Sequence, residues 1–269
     1  MGVGKMSEDV KAARWIRRVV AMTMPLFIGS SWLTLVIGPA YPRYEYAKPD
    51  FPLDLEGMTP ATAVNLGLVP LTPAERLDLT LPAVTYLESW QPAETAIVTL
   101  AEQQLPHTGA PLYNERELKH MVDVKRITDA IRWLALATVV PVIGGLLFLL
   151  RRPRTRQVGY LALGQGGVFT MILLSGIAGL ILFGWSFFFY QFHGLLFPSG
   201  TWTFAATDSL MRLYPERFFF DVAVVISLGA WLWGLLAVVA GYLLAWRGTT
   251  ITKETKEISR GTHVQEAVR

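Results

Sequence analysis

No cysteine occurs among the 269 residues. Disulfides, thiolate zinc sites and a cysteine nucleophile are therefore excluded, as is lipidation of the chain on its own cysteine. Charge is scarce as well. Only 17% of residues are charged against 52% hydrophobic, and the mean hydropathy is +0.38, which is too apolar for an ordinary soluble domain of this length. No G-x-S-x-G elbow is present to mark a serine nucleophile. The four histidines all lie outside the long apolar runs, whereas haem or chlorophyll ligation would favour histidines within them. No internal repeat or low-complexity tract stands out. The small basic excess, +3, is explained by the distribution of charge along the chain and points to no nucleic-acid partner.

What is present is a set of four charge-poor apolar runs, at about 19–40, 133–150, 158–190 and 222–246. Each is about as long as the roughly 20 residues a helix needs to cross a bilayer, or, like the third, longer than a straight span requires. The first is longer than the apolar core of a cleaved signal peptide and is read as an uncleaved signal-anchor helix. The expected fold is all-α: a single polytopic membrane domain over 1–269, with four transmembrane helices and a small external helical segment at 41–130. Lys5, Lys11, Arg14, Arg17 and Arg18 precede the first run, "RRPRTR" follows the second, and Arg247, Lys253, Lys256 and Arg260 follow the fourth. The segment 41–130 instead carries thirteen acidic against seven basic residues. By the positive-inside rule both termini and the tail 247–269 are cytoplasmic, and 41–130 and 191–221 are external.

Within the external segment, "YPRYEYAKPDFP" reads as an extended interfacial stretch. Thr72 before Pro73 reads as the N-cap of a helix that Pro82 would kink or divide, and a second short helix is expected around 94–104. Asn114 with Glu117 forms a capping-box pattern, with Tyr113 and Leu118 in the staple positions. A helix should start near 115 and run unbroken into the second span. His120 sits on its second turn, sharing a face with Glu117 and Asp123. The third run opens with the glycine-rich "VGYLALGQGG", expected to pack closely or break. Gly176, Gly179 and Gly184 add candidate contact points for neighbouring helices.

The chemistry-bearing residues gather in two places. His120 and His193 each stand near an apolar boundary amid aromatic residues, where imidazole is the side chain suited to moving protons near neutral pH; interfacial anchoring is the alternative use. His107, in a proline-flanked turn, and His263, in the polar tail, read as solvated. The segment "FHGLLFPSGTWTFAATDSLMRLYPERFFF" adds Trp202, Asp208, Arg212 and Tyr214, which form either an interfacial aromatic belt or part of a site. Ser199 reads as a turn residue. Asp208 is costly in so apolar a setting unless paired; its helical neighbour Arg212 is the expected partner, or the aspartate orients a histidine. A metal site from His120, His193 and Asp123 has no specific zinc spacing, and no metal or other cofactor is expected.

"YNERELKHMVDVK" together with the segment just quoted resembles a bacterial integral membrane family that includes lipoprotein intramolecular transacylase. The two motif histidines are His120 and His193, 73 residues apart, and "LTPAERL" is similar more weakly. The resemblance implies an acyltransferase of the cytoplasmic (inner) membrane, working at its external face. Its substrate would be the N-terminus of a bacterial lipoprotein whose cysteine bears S-linked diacylglycerol. The sn-2 acyl chain would move to the α-amino group, giving the lyso-form. His120 and His193 would be the catalytic pair, their imidazoles within roughly 10 Å of each other. Glu117, Asp123, Trp202, Asp208, Arg212 and Tyr214 would support them, and membrane lipids would surround the site. The readings from other classes are a non-catalytic accessory subunit of a larger membrane complex and a related lipid acyltransferase or esterase.

Overall fold

The computed structural model describes the backbone over residues 3–267 and the side chains of residues 8 and 10–248; His263 and the basic residues of the tail beyond 248 lie outside the described side chains. The described residues are helical, with no strand. In chain order the helices are α1 (Val3–Val36), α2 (Ala40–Tyr46), α3 (Pro60–Asn65), α4 (Pro73–Glu88), α5 (Ala93–Ala96), α6 (Val98–Ala101) and α7 (Glu115–Val139). After a π-turn at Val140–Gly144 come α8 (Gly145–Arg151), α9 (Arg156–Phe183), α10 (Trp185–Leu196), α11 (Ser209–Leu213) and α12 (Glu216–Ala267). Among the described residues, four helical stretches are long and apolar enough to cross a membrane: Val10–Val36, Glu115–Arg151, Arg156–Phe183 and Glu216–Gly248. The second of these passes through the π-turn, where Pro141 removes a helical donor and the wider turn accommodates the loss.

Local chemistry explains where the helices start. Thr72 and Glu75 close a reciprocal capping box on α4, with Pro73 at its first position. Asn114 and Glu117 do the same for α7: Glu117 N–H donates to Asn114 Oδ1 at 3.0 Å, and Asn114 N–H to Glu117 Oε2 at 2.8 Å. Pro82 does not divide α4, which continues through it to Glu88. The helix expected around 94–104 is two single turns, α5 and α6. The stretch expected to be extended at 41–52 is instead helical over Ala40–Tyr46. Pro42 falls in its first turn, where a missing N–H costs nothing. Burying Tyr41 and Tyr46 lets their hydroxyls donate to the carbonyls of Phe218 and Leu213.

The chain divides into two compact units. One comprises residues 1–29, 134–176 and 229–269, and the other 30–133 and 177–228. The first is built around Ala13, Val20, Met24, Val142, Leu149 and Ala162. In it α9 and α12 meet at glycines: a Cβ on Gly241 would lie 2.3 Å from the Gly164 nitrogen, and one on Gly167 would lie 2.5 Å from the Gly234 carbonyl oxygen. Backbones that close admit no side chain. The "VGYLALGQGG" stretch therefore packs rather than breaks. The break comes later, at Gly184, where the third apolar run stops and restarts as α10. Gly176 and Gly179 meet nothing that a Cβ would touch, so they are not the contact points expected of them.

The second unit has its own core of Leu71, Ala83, Tyr86, Leu100, Leu112, Tyr113, Met121, Leu210 and Leu213 among others. The Phe218–Phe220 run packs in three directions. Phe218 lies edge-on to Tyr41 at 5.0 Å, Phe219 against Phe189 at 5.9 Å, and Phe220 edge-on to Trp185 at 5.2 Å. These rings hold the first turns of α12 against α2 and α10, where a simple aromatic belt would face lipid.

Candidate active site

Both motif histidines belong to the second unit. His120, on the second turn of α7, is 8% exposed. Its ring packs on Phe197 at 4.8 Å and Phe204 at 5.2 Å between centroids. Its Nδ1 is buried and has no hydrogen-bond partner among the described residues, a costly state for a polar atom and one that recurs at catalytic groups. His193, on the last turn of α10, stacks on Phe189 at 3.9 Å and faces Trp202 at 5.2 Å and Phe197 at 5.5 Å. Phe197 thus touches both imidazoles, which lie no farther apart than the sum of its two distances.

The hydrogen bond of His193 fixes its tautomer. Nδ1 lies 2.8 Å from the Phe189 carbonyl oxygen. A carbonyl only accepts, so Nδ1 carries the proton, and in the neutral ring Nε2 is left as an acceptor. Burial among the surrounding rings pushes the His193 pKa below the ordinary imidazole value, partly offset by that carbonyl. The ring is therefore expected to titrate with a midpoint below about 6.5 and to be a neutral proton acceptor at neutral pH. Nitrogen shifts of labelled histidine, recorded against pH with His193→Gln used for assignment, check this. A midpoint at or above the ordinary value, or the proton on Nε2, would contradict it.

The remaining sequence candidates take partners that spacing did not foretell. Glu117 is buried; beyond capping its own helix, its Oε1 accepts from Leu210 N–H at 2.7 Å. One carboxylate thereby ties the start of the His120 helix to the start of α11, where helix N–H groups favour an anion. Asp123 pairs with Arg126 at 3.0 Å, and Arg126 also reaches Glu94. Asp123 therefore shares a helical face with His120 but has its own partner. Asp208 does not pair with Arg212. It precedes α11 with extended backbone, so helical i,i+4 geometry does not apply; its Oδ2 accepts from Arg116 at 2.8 Å and from Ala205 N–H at 2.8 Å. Arg212 turns inward to Asp54 at 2.7 Å and to the Val69 carbonyl at 2.8 Å. Trp202 lies between His193 and Tyr190, 5.1 Å from the latter. Tyr214 packs on Phe218 and Phe219. Ser199 sits in a turn closed by Thr201 N–H to the Pro198 carbonyl, with Gly200 at φ +80°. His107 pairs with Glu75 at 2.9 Å.

Sequence reasoning did not single out Phe197, Phe204, Arg116 and Asp54. The first three lie inside the two quoted motifs. Arg116 covers the Phe204 ring at 5.2 Å while Asp208 holds its guanidinium, so both motifs contribute to the wall beside His120. Among the described residues no group of three His, Asp or Glu side chains is disposed to hold a metal ion. The arrangement provides two imidazoles in an apolar aromatic seat, one of them with a defined acceptor nitrogen.

Residues 82–219 match the family model described as lipoprotein intramolecular transacylase Lit. The chain belongs to that family. The matched region contains both motif histidines and every residue of their aromatic seat. The fold agrees. The membrane-integral lipoprotein intramolecular transacylase Lit of Bacillus cereus superposes with a TM-score of 0.62 at 20% identity, over 91% of this chain and 99% of that one. A form of the same protein with one histidine replaced by alanine gives 0.60 at 22% identity, over 93% and 99%. An uncharacterised protein of Aquifex aeolicus is 30% identical over 135 residues, half of this chain, which spans 59% of that relative's length. This chain too is membrane-integral, with four apolar helices among its described residues.

Proposed function

We propose that the protein moves the sn-2 acyl chain of an S-diacylglyceryl cysteine to the α-amino group of the same cysteine, giving a lyso-form lipoprotein. The observation that carries the proposal is the shared seat of His120 and His193, because ester aminolysis needs a proton acceptor and a proton donor at one carbon. The amine nitrogen attacks the ester carbonyl and loses a proton to His193 Nε2. A tetrahedral oxyanion forms. It collapses by breaking the bond to the glyceryl oxygen, which takes up a proton at the histidine pair. The products are an amide and a free glyceryl hydroxyl; no water is consumed and no proton is lost overall. His120 supplies the second proton-transfer position. The aromatic seat excludes water, favouring the amine over hydrolysis. Tethering amine and ester in one molecule lowers the entropic cost of their meeting.

The site lies at the external face of the cytoplasmic membrane, with both termini in the cytoplasm, in this reading. The acid-rich 41–130 segment and the basic flanks of the apolar runs support that orientation. A reporter fused after Arg269 is expected to register as cytoplasmic and one inserted at Gly109 as external; the opposite pattern would overturn it. The reaction itself is tested by the mass of a lipoprotein's N-terminal peptide in a host lacking its own transacylase, with and without this chain. Correct insertion without conversion would favour a non-catalytic accessory subunit.

A further inference from the structure

In the first unit, well away in sequence from both histidines, Arg14, Arg17 and Arg18 of α1 line a cleft of about 670 Å³ with Gln165 and Phe169 of α9. Among the described residues no acidic side chain lines it. None of the ion pairs among the described residues uses these three arginines. Arg17 Nε donates to Gln165 Oε1 at 2.9 Å. That bond holds the guanidinium across the cleft and leaves its two terminal nitrogens for another acceptor. The rest of the wall is Ala21, Met22, Val168, Phe169 and Tyr242, apolar apart from one phenolic hydroxyl, with Met22 one turn further along α1 from Arg18.

Three adjacent guanidiniums with no acidic partner among the described residues repel one another, and phosphate oxygens are the acceptors that their planar forks fit best. A free phosphate would answer the charge but leave the apolar wall bare. The cleft volume is in the range of sites that hold a whole small molecule. We infer that this cleft binds an anionic phospholipid, its phosphate on Arg14, Arg17 and Arg18 and an acyl chain along Met22, Val168 and Phe169. Basic pockets between membrane helices recognise lipid headgroups by this chemistry. The inference needs only that the chain lies in a membrane and is independent of the histidine site.

The test is native mass spectrometry of the full chain in detergent supplied with equal phosphatidylglycerol and phosphatidylcholine of matched acyl chains. One phosphatidylglycerol is expected to remain bound, preferred by about tenfold or more, the scale of one lost charge-assisted contact. Joint Arg14→Gln, Arg17→Gln, Arg18→Gln substitution should remove that preference, whereas joint Arg151→Gln, Arg152→Gln, Arg154→Gln substitution, the same number of charges around a separate loop, should keep it. A photoreactive phosphatidylglycerol added to the unmodified chain should label peptides containing Met22 or Val168 and Phe169; this arm needs no variant to fold. Equal retention of the two lipids, labelling confined to other peptides, or displacement of the lipid by millimolar inorganic phosphate would overturn the inference. So would equal loss in the two sets of variants, since it would mark general surface attraction.

Discussion

Alanine at His120 or at His193 is expected to lower conversion of a diacylated lipoprotein by about 10²- to 10⁴-fold, the loss typical of a missing proton-transfer group. In a cell-based assay that means no detectable lyso-form peptide. Neither change should unfold the protein. His193 is half-buried and makes one intrahelical bond, and His120 contacts two rings without a hydrogen bond at Nδ1. Losing both should cost little more than losing either, because residues acting as a unit are not additive. His107→Ala removes an exposed contact with Glu75 and should retain full activity. Substantial activity in the His120→Ala, His193→Ala double variant would contradict the assignment.

The largest expected effect on stability lies at Asp54. Its side chain is fully buried and that of Arg212 is 3% exposed. Asp54 accepts two bonds from Arg212 and one from Leu71 N–H at 2.7 Å. Asp54→Ala leaves a buried guanidinium and a backbone donor without their partner, a loss of about 3–5 kcal/mol. Glu94→Ala breaks a pair whose side chains are 58% and 60% exposed and should cost at most about 1 kcal/mol. Replacing both buried charges, Asp54→Asn with Arg212→Met, should restore part of the loss. Thermal unfolding in one detergent compares the three. Equal melting of Asp54→Ala and Glu94→Ala would show that the buried pair does not anchor α11.

These two pairs also show what sequence spacing can and cannot reveal. The capping boxes at Thr72 and Asn114 were legible because a cap is set by residues three apart. The histidines are legible as candidates for proton transfer, with interfacial anchoring as the other use. Their surroundings are not. Asp208 and Arg212 are four apart, which suggested a helical pair, but Asp208 stands before the helix and its partner Arg116 is 92 residues away. The partner of Arg212 is 158 residues away. Glu117 shares a helical face with His120 by spacing, but the bond its second oxygen accepts from Leu210 N–H, 93 residues away, has no local signal. The tyrosine- and proline-rich stretch at 41–52 reads as extended by its proline count, whereas the position of Pro42 within a first turn lets Ala40–Tyr46 form a helix. Gly176 and Gly179 looked like contacts because composition does not distinguish a glycine that faces a neighbour from one that faces none. In each case the missing information was tertiary: which backbone comes near, and from what direction.

Transfer within one molecule is the central step, and a positional label tests it most directly. Purified protein in lipid would be given a diacylated lipopeptide carrying a heavy acyl chain at sn-2 only, and the N-terminal peptide would be weighed and fragmented. The predicted product carries the heavy chain on the α-amino nitrogen and a free hydroxyl at sn-2, with the unlabelled chain still at sn-1. A heavy chain remaining on glycerol, a heavy free fatty acid released to water, or an unlabelled N-acyl chain drawn from the surrounding lipid would contradict it.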